Sequence, residues 1–201
     1  PPDREVWRPH KDQQGPTWWQ TDLGQPQSVA GVEIQWARPS TVTATVLTSE
    51  DGGFYQHRGF LADAFRESIV TNIKERRFAR GGSTITQQLA KNLFLSTDKS
   101  LRRKLEEYFI ARRLETELSK NRIFHLYLNV IEFGPGVFGV EAAARHYFGK
   151  SVGQLSLEEV VRLTAVIPKP LTESPTRNSR WLNWRAGWVL STLRKTGHIS
   201  A

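Results

Sequence analysis

Apolar side chains recur at helical spacing through most of the chain after residue 41, and this pattern limits the fold more than any other. Between residues 83 and 94 a spacing of four places three of them on one helix face: Ile85, Leu89 and Leu93. Ser83 is placed to cap that helix. Over residues 100–118 a second amphipathic helix is predicted, with an inward side of Leu101, Leu105, Tyr108, Phe109 and Leu114. We therefore expect a mainly α-helical domain.

Capping and breaking residues mark the later elements. Ser156 and Glu159 have the spacing of a capping box and predict a helix through Val166, which Pro168 then ends. Residues 61–82 are less regular, basic and glycine-terminated. That stretch fits both a mobile lid and an ordinary surface loop.

The N-terminal segment, residues 1–38, differs from the rest in composition and in the pattern of its apolar residues. It is rich in tryptophan and ends in a run that alternates apolar and polar side chains, Val32-Glu33-Ile34-Gln35-Trp36. Such alternation predicts a half-buried β-strand. We place a domain boundary at Arg38-Pro39-Ser40, so the chain divides into a β-rich segment, 1–38, and a main domain, 41–201.

Length, charge and composition limit the possible functions but do not identify one. The 201 residues suffice for one domain with a hydrophobic core, and the net charge of +8 favours an anionic partner. Because there is no cysteine, disulfides, thiolate metal sites and cysteine nucleophiles are excluded. There is no apolar stretch of membrane-spanning length and no methionine, so we expect an excerpt of a longer protein whose anchor helix lies outside this chain.

The first polar cluster follows a short apolar run, residues 42–47, and begins with Glu50 and Asp51. Two glycines and an aromatic residue come next, so the carboxylates are placed where an element ends beside a cleft. A partly desolvated Glu at such a place acts as an acid or a base. Solvated carboxylates at a helix start are the plain alternative.

The second and third clusters suggest anion binding. Gly81-Gly82-Ser83-Thr84 runs into a helix start, where free N–H groups favour an anion, and Lys91 follows two turns later. Simple capping explains Ser83 but leaves Gln87 and Gln88 without a reason. In the third cluster Arg103 and Glu107 lie four apart, which fits an exposed ion pair or cations that hold a diphosphate.

Together these clusters resemble the peptidoglycan glycosyltransferases of bifunctional penicillin-binding proteins and monofunctional transglycosylases. The ordered segments that carry the resemblance are Glu50 to Gly59, Gly81 to Gln88, Arg103 to Glu107, Lys120 to Asn129, Gly136 to Ala144 and Ile167 to Pro170. Phe124 and His125 stand where the family usually has Leu and Glu, and we expect both changes to be tolerated. The resemblance implies a mainly α-helical, lysozyme-like fold.

The resemblance also implies a mechanism. Glu50 is the expected catalytic base, which takes the proton of an acceptor sugar hydroxyl during polymerisation of lipid II, and Glu107 is the expected second catalytic glutamate. The residues expected to bind the substrate's sugar or diphosphate are Ser83, Gln87, Gln88, Lys91, Lys99, Arg103 and Lys104. A divalent cation, Mg²⁺, is the implied cofactor, with its ligands unknown.

Lipid II, the growing glycan strand and the membrane surface are the implied partners, with a transpeptidase and other wall-synthesis proteins beside them and no nucleic acid. The implied location is the outer face of the bacterial cytoplasmic membrane. Two other functions fit part of the pattern. A lysozyme-type hydrolase also needs a Glu in a cleft, but it has little use for cations at its leaving group. A non-catalytic wall-binding protein is disfavoured because Glu50 and Glu107 are both present.

Tryptophans stand out at both ends of the chain. Residues 18–24 and 32–36 resemble part of a discoidin-type (coagulation factor 5/8 C-like) β-sandwich, and we expect an appendage rather than an independent module. Near the C-terminus Trp181, Trp184 and Trp188 recur at helical spacing. Core or interface packing is the expected role of these three rings rather than sugar stacking, and a place near a membrane surface is left open for their neighbours Arg180 and Arg185.

Overall fold

The computed structural model describes residues 40–60, 83–95 and 101–199. The expected β-rich segment, the basic stretch 61–82 and Lys99 lie outside these residues. The helices are α1 (Ser40–Glu50), α2 (Ile85–Phe94), α3 (Leu101–Glu117), α4 (Lys120–Val130), α5 (Val140–Phe148), α6 (Leu157–Val166) and α7 (Arg180–Lys195). A two-stranded antiparallel hairpin, β1 (Glu132–Gly134) and β2 (Val137–Phe138), separates α4 from α5, and a short 3₁₀ turn, Val152–Gln154, precedes α6. The expectation of a mainly α-helical fold is confirmed.

The helices pack in two groups that meet at one hydrophobic core. Helix α1 packs on α6 and α7, while α2 packs on α3 and α4. Their shared core contains Val46, Ile85, Leu89, Ile123, Tyr127, Phe133, Val166 and Leu182, all almost completely buried. Burying a side chain of this size contributes about 1.5–3 kcal/mol, so the core fixes the end of α1 against α2.

The start of α2 differs from the prediction by one residue. Thr84, not Ser83, is the N-cap: its hydroxyl accepts the Gln87 N–H at 3.2 Å, and the Gln87 Oε1 accepts the Thr84 N–H at 3.0 Å. A capping box needs Glu or Gln three residues after the cap, and only Thr84 has one, since Thr86 is three residues after Ser83. The second capping box, Ser156 with Glu159, is confirmed at the start of α6.

The predicted inward face of α3 is confirmed only in part, because Leu114 packs against the core as expected but two other members of that face do not. Leu105 and Phe109 are 60% and 67% exposed, whereas the buried positions are Glu107 and Ala111. This face meets α2 and the residues before it, where the Lys104 ammonium donates to the Ser83 hydroxyl and the Thr86 hydroxyl donates to the Glu115 carboxylate. Polar contacts between α2 and α3 have therefore determined which face of α3 is buried. Apolar spacing alone did not predict that face. Within the described residues, no helix combines the length and apolarity needed to cross a bilayer.

Candidate active site

Glu50 is the last residue of α1, and its carboxylate is held from two sides. The side chain is 8% exposed. Its Oε1 accepts hydrogen bonds from the Ser49 hydroxyl at 2.9 Å and from Arg185 Nη2 at 3.2 Å. Its Oε2 accepts from the Gln88 amide, Nε2, at 3.3 Å. The carboxylate is thus fixed in one orientation at a helix end.

Burial raises the pKa of the Glu50 carboxyl, because the charged form loses its water. The Ser49 hydroxyl, the Arg185 charge and the Gln88 amide act in the opposite direction. The ionised form, once made, is therefore a stronger base than a carboxylate in water and remains hydrogen-bonded. Such a group is suited to take a proton from a hydroxyl.

Asp51 connects the end of α1 to the start of α2. Its Oδ2 accepts the Ile85 backbone N–H at 3.0 Å, and the His57 Nε2 lies 2.8 and 3.0 Å from the two carboxylate oxygens. Asp51 is buried, and it follows the end of α1 rather than a helix start. The alternative of solvated carboxylates at a helix start is therefore wrong.

A second charged cluster lies where α3 meets the start of α2. The Glu107 side chain is 2% exposed, and its Oε2 accepts from Arg103 Nη1 at 3.0 Å. Lys104 Nζ pairs with the other oxygen of Glu107 and donates to the Ser83 hydroxyl at 2.9 Å. The i,i+4 pair predicted from sequence is present, but it is buried at Glu107, not exposed.

Lys91 belongs to the same electrostatic cluster. Partial desolvation lowers the pKa of its ammonium, the Glu107 charge raises it, and the charges of Arg103 and Lys104 lower it again. Lys91 lies one turn beyond Gln88 on α2, so this helix carries groups that face both Glu50 and the cations. Of the predicted site residues, Gln87 alone among those described is committed elsewhere, since it is buried in the capping box.

Arg185 of α7 is a site residue that sequence reasoning missed. Besides Glu50, its Nη2 contacts the Ser49 hydroxyl at 3.0 Å, and its guanidinium lies 4.3 Å from the centre of the Trp188 ring. A place at a membrane surface, which the sequence left open for Arg185, therefore does not fit these contacts. Packing of the tryptophans is confirmed only for half-buried Trp181, since Trp184 and Trp188 are exposed.

The described residues do not form a metal site by themselves. Within residues 40–60, 83–95 and 101–199, no group of three or more His, Asp or Glu side chains is arranged to hold an ion. Both oxygens of Glu107 are already paired with Arg103 and Lys104. Among the described residues, positive charge near Ser83 and Lys91 is supplied by side chains, and the implied Mg²⁺ stays a prediction.

Comparison with known proteins decides the family. The family model described as Transglycosylase matches residues 23–194, which is most of the chain. The chain belongs to the transglycosylase family. Proteins named biosynthetic peptidoglycan transglycosylase are among its relatives. The one from Nitrosospira multiformis is 48% identical over 148 residues, 74% of this chain and 64% of that protein.

Two more transglycosylase relatives carry the same name. That of Nitrosomonas eutropha is 49% identical over 74% of this chain and 61% of its own length, and that of Dechloromonas aromatica is 41% identical over 86% and 76%. The chain thus spans less than two thirds of the Nitrosospira and Nitrosomonas proteins. The predicted family is confirmed, whereas the boundary between 1–38 and 41–201 and the roles of the site residues stay predictions.

Proposed function

We propose that this transglycosylase domain is a peptidoglycan glycosyltransferase that polymerises lipid II into β-1,4-linked glycan and releases the lipid diphosphate. One observation carries the proposal: α2 lies beside both a buried carboxylate, Glu50, which its Gln88 contacts, and a cluster of cations that includes its own Lys91. A sugar transfer from a diphosphate needs both, a base for the acceptor and positive charge for the leaving group. The name of the relatives, biosynthetic peptidoglycan transglycosylase, agrees with this chemistry.

Glu50 is the proposed general base. It takes the proton from the 4-hydroxyl of the acceptor GlcNAc while that oxygen forms a bond to C1 of the donor MurNAc. The bond from C1 to the phosphate oxygen breaks, its electron pair leaves with the diphosphate, and the configuration at C1 is inverted. General-base help of this kind contributes about 10²–10⁴ in rate.

The cation cluster is the proposed diphosphate site. Negative charge grows on the leaving group, so Lys91, Arg103 and Lys104 stabilise the transition state more than the ground state. Glu107 orients Arg103 and Lys104, because it pairs with both. Ser83, Gln88 and Lys99 complete the proposed set of sugar and phosphate contacts, and Gln87, buried in the capping box, is left out of it.

A membrane-facing surface is proposed on α3, and we call it the α3 stripe: Arg102, Leu105, Phe109, Arg112 and Arg113. All five side chains are exposed, and two apolar groups flanked by cations suit the interface of an anionic bilayer. The enzyme then works at the outer face of the cytoplasmic membrane, beside a transpeptidase and other wall-synthesis proteins. Flotation with anionic vesicles tests this: a Leu105→Ser, Phe109→Ser variant should stay unbound, and unchanged flotation would contradict the stripe.

Labelled lipid II and purified cell wall distinguish the proposed transferase from a hydrolase. The protein is incubated with each substrate separately, and the products are separated by size. Long glycan strands from lipid II with no release from the wall support the proposal, while released muropeptides from the wall contradict it. The predicted Mg²⁺ dependence is checked in the same assay with a chelator, and it is contradicted if strand formation is unchanged.

A further inference from the structure

Tyr127 lies on α4 and has no accessible surface, yet it is connected to the proposed base. Its hydroxyl donates a hydrogen bond to the Gln88 Oε1 at 3.0 Å. The other end of the same amide, Nε2, donates to the Glu50 Oε2 at 3.3 Å. Three side chains from α4, α2 and α1 therefore form one line of donors that ends on the carboxylate.

The Tyr127 hydroxyl determines which end of the Gln88 amide faces Glu50. A glutamine amide has a donor end and an acceptor end, and either end fits the same space. With the carbonyl occupied by the Tyr127 O–H, the NH₂ group faces Glu50. With the amide reversed, its carbonyl oxygen would face the carboxylate, where two acceptors repel each other.

We infer that Tyr127 is a positioning residue for Glu50: it fixes the polarity of the Gln88 amide so that the carboxylate always meets a donor. This inference rests on the proposed function, in which Glu50 is the base. Tyr127 does not touch the reacting groups and acts only through Gln88.

Among the described residues the Tyr127 hydroxyl has one hydrogen-bond partner, the Gln88 Oε1, so its hydrogen is used only in this orientation of the amide. Burial, followed by the negative charges of Glu50 and Asp51, raises the pKa of the Tyr127 hydroxyl well above its ordinary value. The hydroxyl therefore keeps its proton throughout the working pH range. The ring stacks beside Phe124, with centroids 6.4 Å apart, so that Tyr127→Phe removes the hydroxyl and leaves an aromatic ring to fill the core.

A double-mutant cycle on lipid II polymerisation tests the inference. We expect Tyr127→Phe to lower kcat/KM about five- to tenfold at neutral pH, the effect of losing one hydrogen bond in a buried network. The acidic limb of the variant's pH profile of kcat/KM should move to higher pH, since a reversed Gln88 amide disfavours the charged Glu50 carboxylate. In a Gln88→Ala background the same change should have no further effect. Tyr147→Phe is the control, because its hydroxyl donates to the Phe133 carbonyl instead.

A titration of the Glu50 carboxyl by ¹³C NMR, assigned by comparison with Glu50→Gln, reads the same effect without substrate. A higher pKa in Tyr127→Phe and an unchanged one in Tyr147→Phe support the inference. An unmoved Glu50 pKa, or effects of Tyr127→Phe and Gln88→Ala that multiply independently, would overturn it. If the pKa moves but the wild-type protein makes no glycan, the positioning role stands and the proposed function fails.

Discussion

Arg185 and Glu50 are separated by 135 residues in the chain, and their side chains are joined by a hydrogen bond of 3.2 Å. Both side chains are largely buried, so the attraction is less screened than in a surface pair. Trp188 covers the guanidinium from one side. The last described helix therefore lowers the pKa and holds the orientation of a group at the end of the first described helix.

Arg185→Ala should lower lipid II polymerisation about 10–100-fold, the cost of removing one partner of a buried charge pair. The Arg185 cation lowers the pKa of Glu50, so its loss raises that pKa further. Because the base must be ionised, the acidic limb of kcat/KM should shift to higher pH. Arg180→Ala, an exposed Arg on the same helix, is the control. Equal pH profiles for the two variants would contradict this role.

Glu50→Gln should be more stable than wild type at neutral pH. The pKa of Glu50 is raised in the folded state, so the folded protein binds this proton more tightly than the unfolded chain does. The ionised carboxylate therefore costs stability above its folded pKa, and the cost disappears as pH falls through that value. In a protein of this size each kcal/mol corresponds to about 2–4 °C in Tm.

Thermal unfolding of wild type and Glu50→Gln across pH checks the direction of this stability difference. The Tm difference should be largest at neutral to alkaline pH and should shrink toward acid pH. A Glu50→Gln variant that is less stable than wild type at pH 8 would show that hydrogen bonding to Ser49, Gln88 and Arg185 outweighs burial.

The sequence predicted features that depend on neighbouring residues. It did not predict contacts between helices that are distant in the chain. Helix spans, the capping box at Ser156 and the Arg103–Glu107 pair depend on neighbours within one or two turns, and the structure contains them. Arg185 and Tyr127 reach the site from distant helices, and neither has a local signal that sets it apart. On α3, apolar spacing predicted Leu105 inward, but the polar contacts to α2 lie on another face, which is the one that is buried.

Lys104→Ala should reduce polymerisation about 10²–10³-fold, as removal of a donor aimed at developing negative charge does elsewhere. Lys104 pairs with Glu107 and donates to Ser83, so its loss also leaves Glu107 with Arg103 alone. The matched control is Lys195→Ala on α7, the same substitution at an exposed lysine outside both the cation cluster and the α3 stripe. Similar losses in the two variants would mean that only overall charge matters.

Gly59→Ala should destabilise the domain more than Gly136→Ala. Both glycines have positive φ, +74° and +72°, so each alanine carries about 1–2 kcal/mol of backbone strain. At Gly59 a Cβ would also meet the Glu115 Cγ at 2.9 Å, whereas nothing lies within 4 Å at Gly136. Glu115 is held by Thr86 and Lys120, so it yields poorly. Chemical denaturation measures the difference, and equal losses would contradict the clash.

The central claim is that the Glu50 carboxylate removes the acceptor proton, and the turnover of lipid II by Glu50→Gln tests it most directly. Glu106→Gln makes the same change of charge at the exposed Glu106 on α3 and serves as the reference. We predict a loss of about 10²–10⁴ in kcat for Glu50→Gln, with kcat of the reference within a few-fold of wild type. Glu50→Gln turnover within a few-fold of the reference, in a protein that still folds, would contradict the account.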